Sequence, residues 1–127
     1  MADAAPHGGR FGIFLGTPFS DVAARMPPAT VLTTYGGIGS AGAIGRNRRM
    51  RISLQHFSRC AEAFETGLEP VDVALVSLAR GSDGRLYLGG SWGITIAAAR
   101  RAKRVVVEIN DQAPVIHGGA WPDDIAV

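Results

Sequence analysis

The sequence predicts an α/β fold with an open, mainly parallel sheet and flanking helices. Two short, nearly continuous apolar runs rich in valine, residues 71–78 and 105–110, are typical of strands that are buried on both faces of such a sheet. Between them, Ser91 is placed to cap a helix over residues 94–104, whose last turns carry arginine and lysine that suit the helix dipole. A strand, a crossover helix and a second strand form the right-handed unit of a parallel sheet, and ligands bind beyond the carboxyl ends of its strands.

The same kinds of signal predict elements before and within this unit. The elements predicted before it are a strand at 11–15, a short helix at 19–25, a strand at 31–35, a strand at 50–54 and a helix at 59–66. Thr17 and Ser58 precede the two helices as N-caps, and Gly67 follows the second as a C-cap. A glycine-containing turn leads to a short extra strand at 85–88, and the chain after Asn110 is expected to end without another element.

A glycine-rich segment at residues 36–45 follows the second predicted strand. The spacing of Gly37, Gly39 and Gly42 matches the letters of the dinucleotide-binding pattern, but residues 46–49 lack the apolar period of the helix that this pattern requires. We therefore predict a loop, which is either a flexible turn or a segment that contacts a ligand through its backbone amides.

Composition limits the classes of protein to consider. The chain has 127 residues, of which 46% are hydrophobic and 19% charged, and this predicts a single domain over residues 10–127 after a disordered lead at 1–9. One cysteine excludes an internal disulfide, and neither metal-ligand spacing, a signal peptide nor a membrane helix is found, so a cytoplasmic location is expected. Two basic clusters occupy a helix end and a polar loop without interleaved aromatic residues, so nucleic acid is not the expected partner.

Few residues stand out for catalysis. Glu108 is the one carboxylate inside an apolar strand, and it is either a catalytic group or an edge or paired residue. His56, at a strand end, is a base, a substrate contact or a structural histidine. Ser77 and Asn110, at the ends of adjacent predicted strands, either line a pocket or cap loops. The sequence contains no nucleophile elbow, phosphate-binding loop or zinc signature.

Several short motifs occur in an order that points to a known family. They are residues 70–76, Asp83-Gly84, Leu88-Gly89, 97–103, 105–114 and His117-Gly118, preceded by Tyr35-Gly36-Gly37, residues 46–49 and residues 56–58. Together they resemble part of the N-terminal domain of the acetyl-CoA hydrolase/4-hydroxybutyrate CoA-transferase family. The resemblance covers most of residues 11–118 and implies a CoA-transferase-like α/β sheet in an incomplete domain.

The resemblance also implies what this chain lacks. The family's attacking glutamate forms a covalent glutamyl-CoA thioester and lies in a second domain, so the chain resembles an interior slice of a larger enzyme. Ser77 stands where the family has glutamine, Ala79-Arg80 where it has Ser-Pro, and Tyr87 where it has serine. These differences fall on the predicted ligand side and indicate a change of substrate or reaction.

The function implied is that of one subunit of a split CoA-transferase-like enzyme. The chain forms one wall of an acyl-CoA pocket and a second polypeptide supplies the glutamate; a coenzyme A thioester is the substrate, and no permanently bound cofactor or metal is expected. The expected substrate contacts are Tyr35, Gly36, Gly37, His56, Ser77, Asn110 and Gln112. Two alternatives stay open: the same fold acting in acyl-CoA hydrolysis, decarboxylation or cyclisation, and a non-catalytic structural subunit.

Overall fold

A computed structural model describes residues 11–17, 20–36, 39, 41–47, 50–89 and 92–127 of the protein. The predicted lead at 1–9, the predicted cap at Ser91 and Gly37 of the predicted loop therefore lie outside the described residues. The chain divides into two compact units, residues 1–56 and residues 57–127, and each contains a three-stranded sheet with helices. The predicted α/β class with mainly parallel strands and flanking helices is confirmed.

The sheet of the first unit is entirely parallel. Its described elements are β1 (Gly12–Leu15), a 3-10 turn (Val22–Arg25), β2 (Val31–Thr34), α1 (Ala41–Asn47) and β3 (Met50–Ile52), with the strands in the order β1-β2-β3. The predicted helix at 19–25 is thus reduced to a single 3-10 turn in the described residues. Thr17 does not cap it, because the Thr17 hydroxyl instead shares a hydrogen bond with the hydroxyl of Tyr35 at 3.1 Å.

The core of the first unit is small and lies around β2. Leu32, which has no exposed surface, packs with Ala23 of the 3-10 turn and Ile44 of α1, and Ile13, Leu15 and Met50 surround them. These residues come from all five described elements of the unit, so burial of apolar surface is what holds the short strands and helices together.

Helix α1 corrects the prediction of a loop over residues 36–45. It begins at Ala41 and includes Gly42 and Gly45, two residues that weaken a helix in isolation. Ala41 and Ile44 are buried, with exposures of 1% and 4%. Tertiary packing of these two side chains therefore outweighs the low helix propensity of the segment, and no local signal in the sequence reports that packing.

The second unit contains the predicted strand–helix–strand arrangement. Its described elements are α2 (Phe57–Glu65), β4 (Val73–Arg80), β5 (Leu86–Leu88), α3 (Thr95–Arg101) and β6 (Arg104–Ile109), with the strands in the order β5-β4-β6. Strands β4 and β6 pair in parallel over six residues with α3 between them in the chain, and the short extra strand β5 pairs antiparallel with β4. Gly67 closes α2 in the left-handed conformation, with φ of 79°, as predicted, but α2 begins at Phe57, so Ser58 lies inside the helix and does not cap it.

One face of this sheet forms the core of the second unit. Ala74, Val76 and Leu78 of β4 pack with Leu88 and Ala99, and the C-terminal residues Trp121 and Ile125 join the same cluster. The indole N–H of Trp121 donates a hydrogen bond of 3.0 Å to the carbonyl of Ile125. The segment after β6, for which no element was predicted, also reaches β5 through an antiparallel bridge between Tyr87 and Ala120.

The other face of the parallel pair contradicts the prediction that these strands are buried on both sides. Side chains alternate along β4 between buried and exposed, and Val73 and Leu75 are 50% and 79% exposed. Val106 of β6 is 51% exposed. The apolar composition of a strand therefore does not show whether this chain covers one or both of its faces. A strand whose second face is covered by another polypeptide is just as rich in valine.

Candidate functional site

Four of the predicted site residues lie at the carboxyl edge of the sheet in the second unit. Ser77 of β4 and Glu108 of β6 are register partners, so they are neighbours on the same face of the sheet. The backbone N–H of Asn110 donates to the carbonyl of Leu78 at 2.8 Å and extends the ladder by one bond. The side-chain oxygen of Asn110 accepts a 3.0 Å hydrogen bond from the backbone N–H of Gln112, which makes a tight turn.

Exposure at this edge decides what these side chains can do. Ser77, Glu108 and Gln112 are exposed and Asn110 is half-buried. Glu108 thus does not meet the condition that made it a catalytic candidate, burial within an apolar strand, because β6 turns this position towards the open face. An exposed hydroxyl, a carboxylate and two amide side chains can form hydrogen bonds to a ligand that lies across the strand ends.

A second polar cluster lies in the turn that follows β4. The Tyr87 hydroxyl donates a 2.6 Å hydrogen bond to one oxygen of Asp83, and the backbone N–H of Arg85 donates to the other at 3.1 Å. These donors stabilise the carboxylate and lower the pKa of Asp83, while the bond to Asp83 raises the pKa of Tyr87. The rings of Tyr87 and His117 make an edge contact, with their planes at 75° and their centroids 6.3 Å apart. Sequence reasoning noted Tyr87 only as a departure from the family; the four-residue spacing to Asp83 was the available signal of a turn-closing pair.

The remaining predicted contacts lie in the first unit. The Tyr35 ring stacks on Phe14 at 6.2 Å, and its hydroxyl is hydrogen-bonded to Thr17. The carbonyl of Gly36 accepts a 3.1 Å hydrogen bond from the buried hydroxyl of Thr34. These contacts fix the chain where it leaves the carboxyl end of β2. His56 is an exposed residue at the end of this unit, and Gly37 lies outside the described residues.

A concavity that no feature of the sequence indicates lies at the opposite, amino-terminal end of β4. It encloses about 230 Å³, and its lining includes Phe64, Val71, Asp72, Arg101 and Lys103. The ammonium group of Lys103 lies 2.6 Å from a carboxylate oxygen of Asp72, which raises the pKa of Lys103. Both side chains are more than three-quarters exposed, so this ion pair contributes little to stability.

Cys60 in α2 is a structural residue. It is 3% exposed, and burial raises the pKa of its thiol, with the Glu69 carboxylate acting in the same direction. A thiol held in its protonated form is a weak nucleophile. Among the described residues, no three histidine, cysteine or acidic side chains are grouped so as to hold a metal ion, and no described helix has the length and apolar content needed to span a membrane.

Comparison with known proteins agrees with the resemblance seen in the sequence. The profile of the acetyl-CoA hydrolase/transferase N-terminal domain matches residues 46–127, well over half of the chain. A search of curated proteins returns no match. The crystal structure of a 4-hydroxybutyrate CoA-transferase from Porphyromonas gingivalis is similar with a TM-score of 0.58 and 27% sequence identity.

The extent of that structural match is unequal for the two proteins. It covers 88% of this chain but only 32% of the transferase, so the chain spans about a third of that protein's length. The predicted family resemblance is confirmed by both comparisons. The chain belongs to the acetyl-CoA hydrolase/transferase family, by way of that family's N-terminal domain.

Proposed function

We propose that this chain is one subunit of a split CoA-transferase-like enzyme that acts on an acyl-CoA thioester. The observation that carries the proposal is the unequal match, in which nearly the whole chain aligns with one third of a 4-hydroxybutyrate CoA-transferase. In this proposal a second polypeptide carries the rest of the fold, and its glutamate attacks the thioester carbonyl and displaces the coenzyme A thiolate. The thiolate then attacks the glutamyl carbonyl of the resulting anhydride, which releases the acyl group as a carboxylate and leaves a glutamyl-CoA thioester.

In this proposal the carboxyl edge of β4 and β6 forms one wall of the acyl-CoA pocket. Ser77, Asn110 and Gln112 offer hydroxyl and amide groups of the kind that pair with the amides of a pantetheine arm. Their position agrees with the general rule that ligands of open α/β sheets bind beyond the carboxyl ends of strands. Glu108 lies beside Ser77 and orders the same ligand through a charged hydrogen bond.

The contacts proposed in the first unit are Tyr35, Gly36, Gly37 and His56. The hydrogen bonds of Tyr35 to Thr17 and of Thr34 to Gly36 support this role, because they anchor the two residues that directly follow β2. A fixed backbone is what a loop needs if its amides are to steady the negative charge that develops on a thioester oxygen.

The altered strand end favours a second candidate, in which the same fold hydrolyses, decarboxylates or cyclises an acyl-CoA. Tyr87, which replaces the family's serine, is 7% exposed and bonded to Asp83. Its large ring therefore occupies volume beside the strand end that a serine would leave open. A changed pocket shape at this point favours a changed acyl group or a changed acceptor.

The test is copurification of the tagged chain from its native source, followed by acyl-CoA turnover and intact-mass measurement of the complex. We expect a partner whose sequence carries the rest of the CoA-transferase fold, and a glutamyl-CoA adduct on that partner after acyl-CoA is added. Turnover without the adduct would favour the second candidate. Absence of such a partner would contradict the proposal.

Alanine substitutions separate a catalytic wall from a structural subunit. Ser77→Ala and Asn110→Ala should lower turnover of the assembled complex by at least about tenfold, because each removes a hydrogen-bonding group from the proposed wall. Asp111→Ala, an exposed change next to Asn110, is the matched control and should leave turnover unchanged. Full activity in all three variants would identify a non-catalytic structural subunit.

A further inference from the structure

Three apolar side chains form a continuous exposed patch on the sheet of the second unit. Val73 and Leu75 alternate along β4 on the side opposite the core, and Val106 is the direct register partner of Leu75 on β6. Their exposures are 50%, 79% and 51%. We call these three residues the apolar face.

Exposure of this face is unusual for a pair of parallel strands. Single exposed apolar side chains are common on protein surfaces, but β4 and β6 pair in parallel, and parallel sheets occur almost only where layers cover both faces. The core cluster accounts for one cover, on the side of Ala74 and Val76. The opposite side has the apolar composition of a buried layer, but none of the described residues forms a layer that covers it.

The surroundings of the apolar face have the character of an interface rim. Arg104 pairs with Val73 at one end, and Glu108 pairs with Ser77 at the other, so a positive and a negative side chain flank an apolar centre. An apolar centre with a charged and polar rim is the common arrangement at protein interfaces. Ser77 and Glu108 are the next residues on the same side of β4 and β6. A molecule bound to the apolar face would therefore also contact the proposed pocket wall.

We propose that the apolar face docks the second polypeptide of the enzyme, the one that carries the remaining part of the CoA-transferase fold. This inference rests on the proposed function. Two observations select that occupant over a second copy of this chain: about two thirds of the related transferase has no counterpart in this chain, and the face adjoins the wall which that missing part must complete. The partner covers the apolar face with an apolar layer of its own, which agrees with the parallel pairing of β4 and β6.

The first experiment measures copurification of the partner with two matched variants. Leu75→Asp places a charge at the centre of the apolar face, whereas Leu68→Asp makes the same change at a residue of nearly equal exposure, 77%, in the turn after α2. Leu75→Asp should reduce recovery of the identified CoA-transferase-like partner by at least about tenfold, because charge at the centre of an interface is strongly unfavourable. Leu68→Asp should recover it as the natural chain does.

The second experiment uses labelling and does not depend on a disruptive substitution. The only cysteine, Cys60, is buried, so Leu75→Cys and Leu68→Cys each introduce one accessible thiol. A maleimide should label both variants rapidly in the isolated chain. Assembly with the partner should slow labelling of the Leu75→Cys variant by at least about tenfold and leave that of Leu68→Cys unchanged.

The outcomes separate this inference from the proposed function. The inference alone is overturned if an active complex is recovered equally well with Leu75→Asp. It is also overturned alone if the Leu75→Cys thiol stays fully reactive in that complex. Slow labelling of Leu75→Cys in the isolated chain would mean that the chain's own residues cover the face. A homodimer that Leu75→Asp dissociates in sedimentation would mean that a second copy covers it. Either result also overturns the inference. Failure to recover any CoA-transferase-like partner overturns both.

Discussion

At the scale of single residues, Gly81 is required by the turn that follows β4. It is buried, and a Cβ atom at this position would lie 2.5 Å from a carboxylate oxygen of Asp83 and 2.6 Å from the ring of Tyr87. Those two groups are held together by the 2.6 Å hydrogen bond from Tyr87 to Asp83, so a shift of either side chain alone would strain that bond. The glycines in the sequence predicted a turn here. Only the fold shows that Gly81 is needed because there is no room for a Cβ atom.

Replacement of Gly81 by alanine should therefore destabilise the second unit by on the order of 1–3 kcal/mol. Gly89→Ala is the matched control, because a Cβ atom at Gly89 meets nothing within 4 Å. Urea unfolding followed by tryptophan fluorescence measures both, since the two tryptophans, Trp92 and Trp121, belong to the second unit. Equal midpoints for the two variants would show that the turn adjusts freely.

Asp83 should give the second unit a measurable acid sensitivity. The hydrogen bond from Tyr87 lowers the pKa of Asp83 below the ordinary value of 3.8. A group with a lowered folded pKa contributes stability above its unfolded pKa, and this contribution is lost as the pH falls through the folded value. The pH window is therefore the region below about pH 4.

Between about pH 6 and about pH 2.5, the urea midpoint should fall less in the Asp83→Asn variant than in the natural chain. The amide keeps an oxygen that accepts from the Arg85 N–H, and it does not titrate in this range. Asp123→Asn is the control, because that carboxylate is 95% exposed and its ion pair with Arg85, at 3.8 Å, contributes little to stability. An unchanged slope in Asp83→Asn would contradict the role given to the Tyr87 hydrogen bond.

At the scale of elements, α1 shows where local rules fail. The segment reads as a loop because glycine is frequent in it, yet Ile44 packs with Leu32 and Ala23 and holds a helix in place. Strand prediction fared better, since β-branched composition depends on neighbouring residues alone and β2 and β6 lie where predicted to within one residue.

Gly45→Ala should stabilise α1 by about 0.5–1 kcal/mol, because Gly45 is an exposed helical position with nothing within 4 Å of a Cβ atom. The reverse change on the same helix, Ala43→Gly, should destabilise it by a similar amount. Hydrogen exchange of the Leu32 amide reports both, since β2 packs beneath this helix in the same core. Equal protection in the two variants would show that α1 does not contribute to that core.

At the scale of the whole molecule, the chain is a family member that spans about a third of a related enzyme. The proposed reaction depends on a glutamate supplied by a second polypeptide, and the apolar face is the proposed place of its attachment. Stability and catalysis should therefore respond to different changes: those in the two cores alter folding of the chain, and those at Leu75 alter assembly.

The purified chain by itself should not consume acetyl-CoA, because in the proposed function the attacking glutamate belongs to the partner. Release of free coenzyme A thiol, followed with a chromogenic thiol reagent, measures this with low background, since the thiol of Cys60 is buried. The complex isolated from the native source serves as the positive control. Sustained thiol release by the single chain would contradict the division of the active site between two polypeptides.

The sequence by itself determined the α/β class, the parallel pairing of β4 with β6 around a helix, and the family, because these follow from local composition and from the order of short motifs. It also placed Ser77, Asn110 and Gln112 at the carboxyl ends of adjacent strands, which follows from strand direction alone. Only the tertiary structure decided that Glu108 is exposed, that glycine-rich α1 is a helix and that one face of a valine-rich sheet is open. Each of these depends on which distant residues cover a side chain, and that information is not contained in any local stretch of sequence.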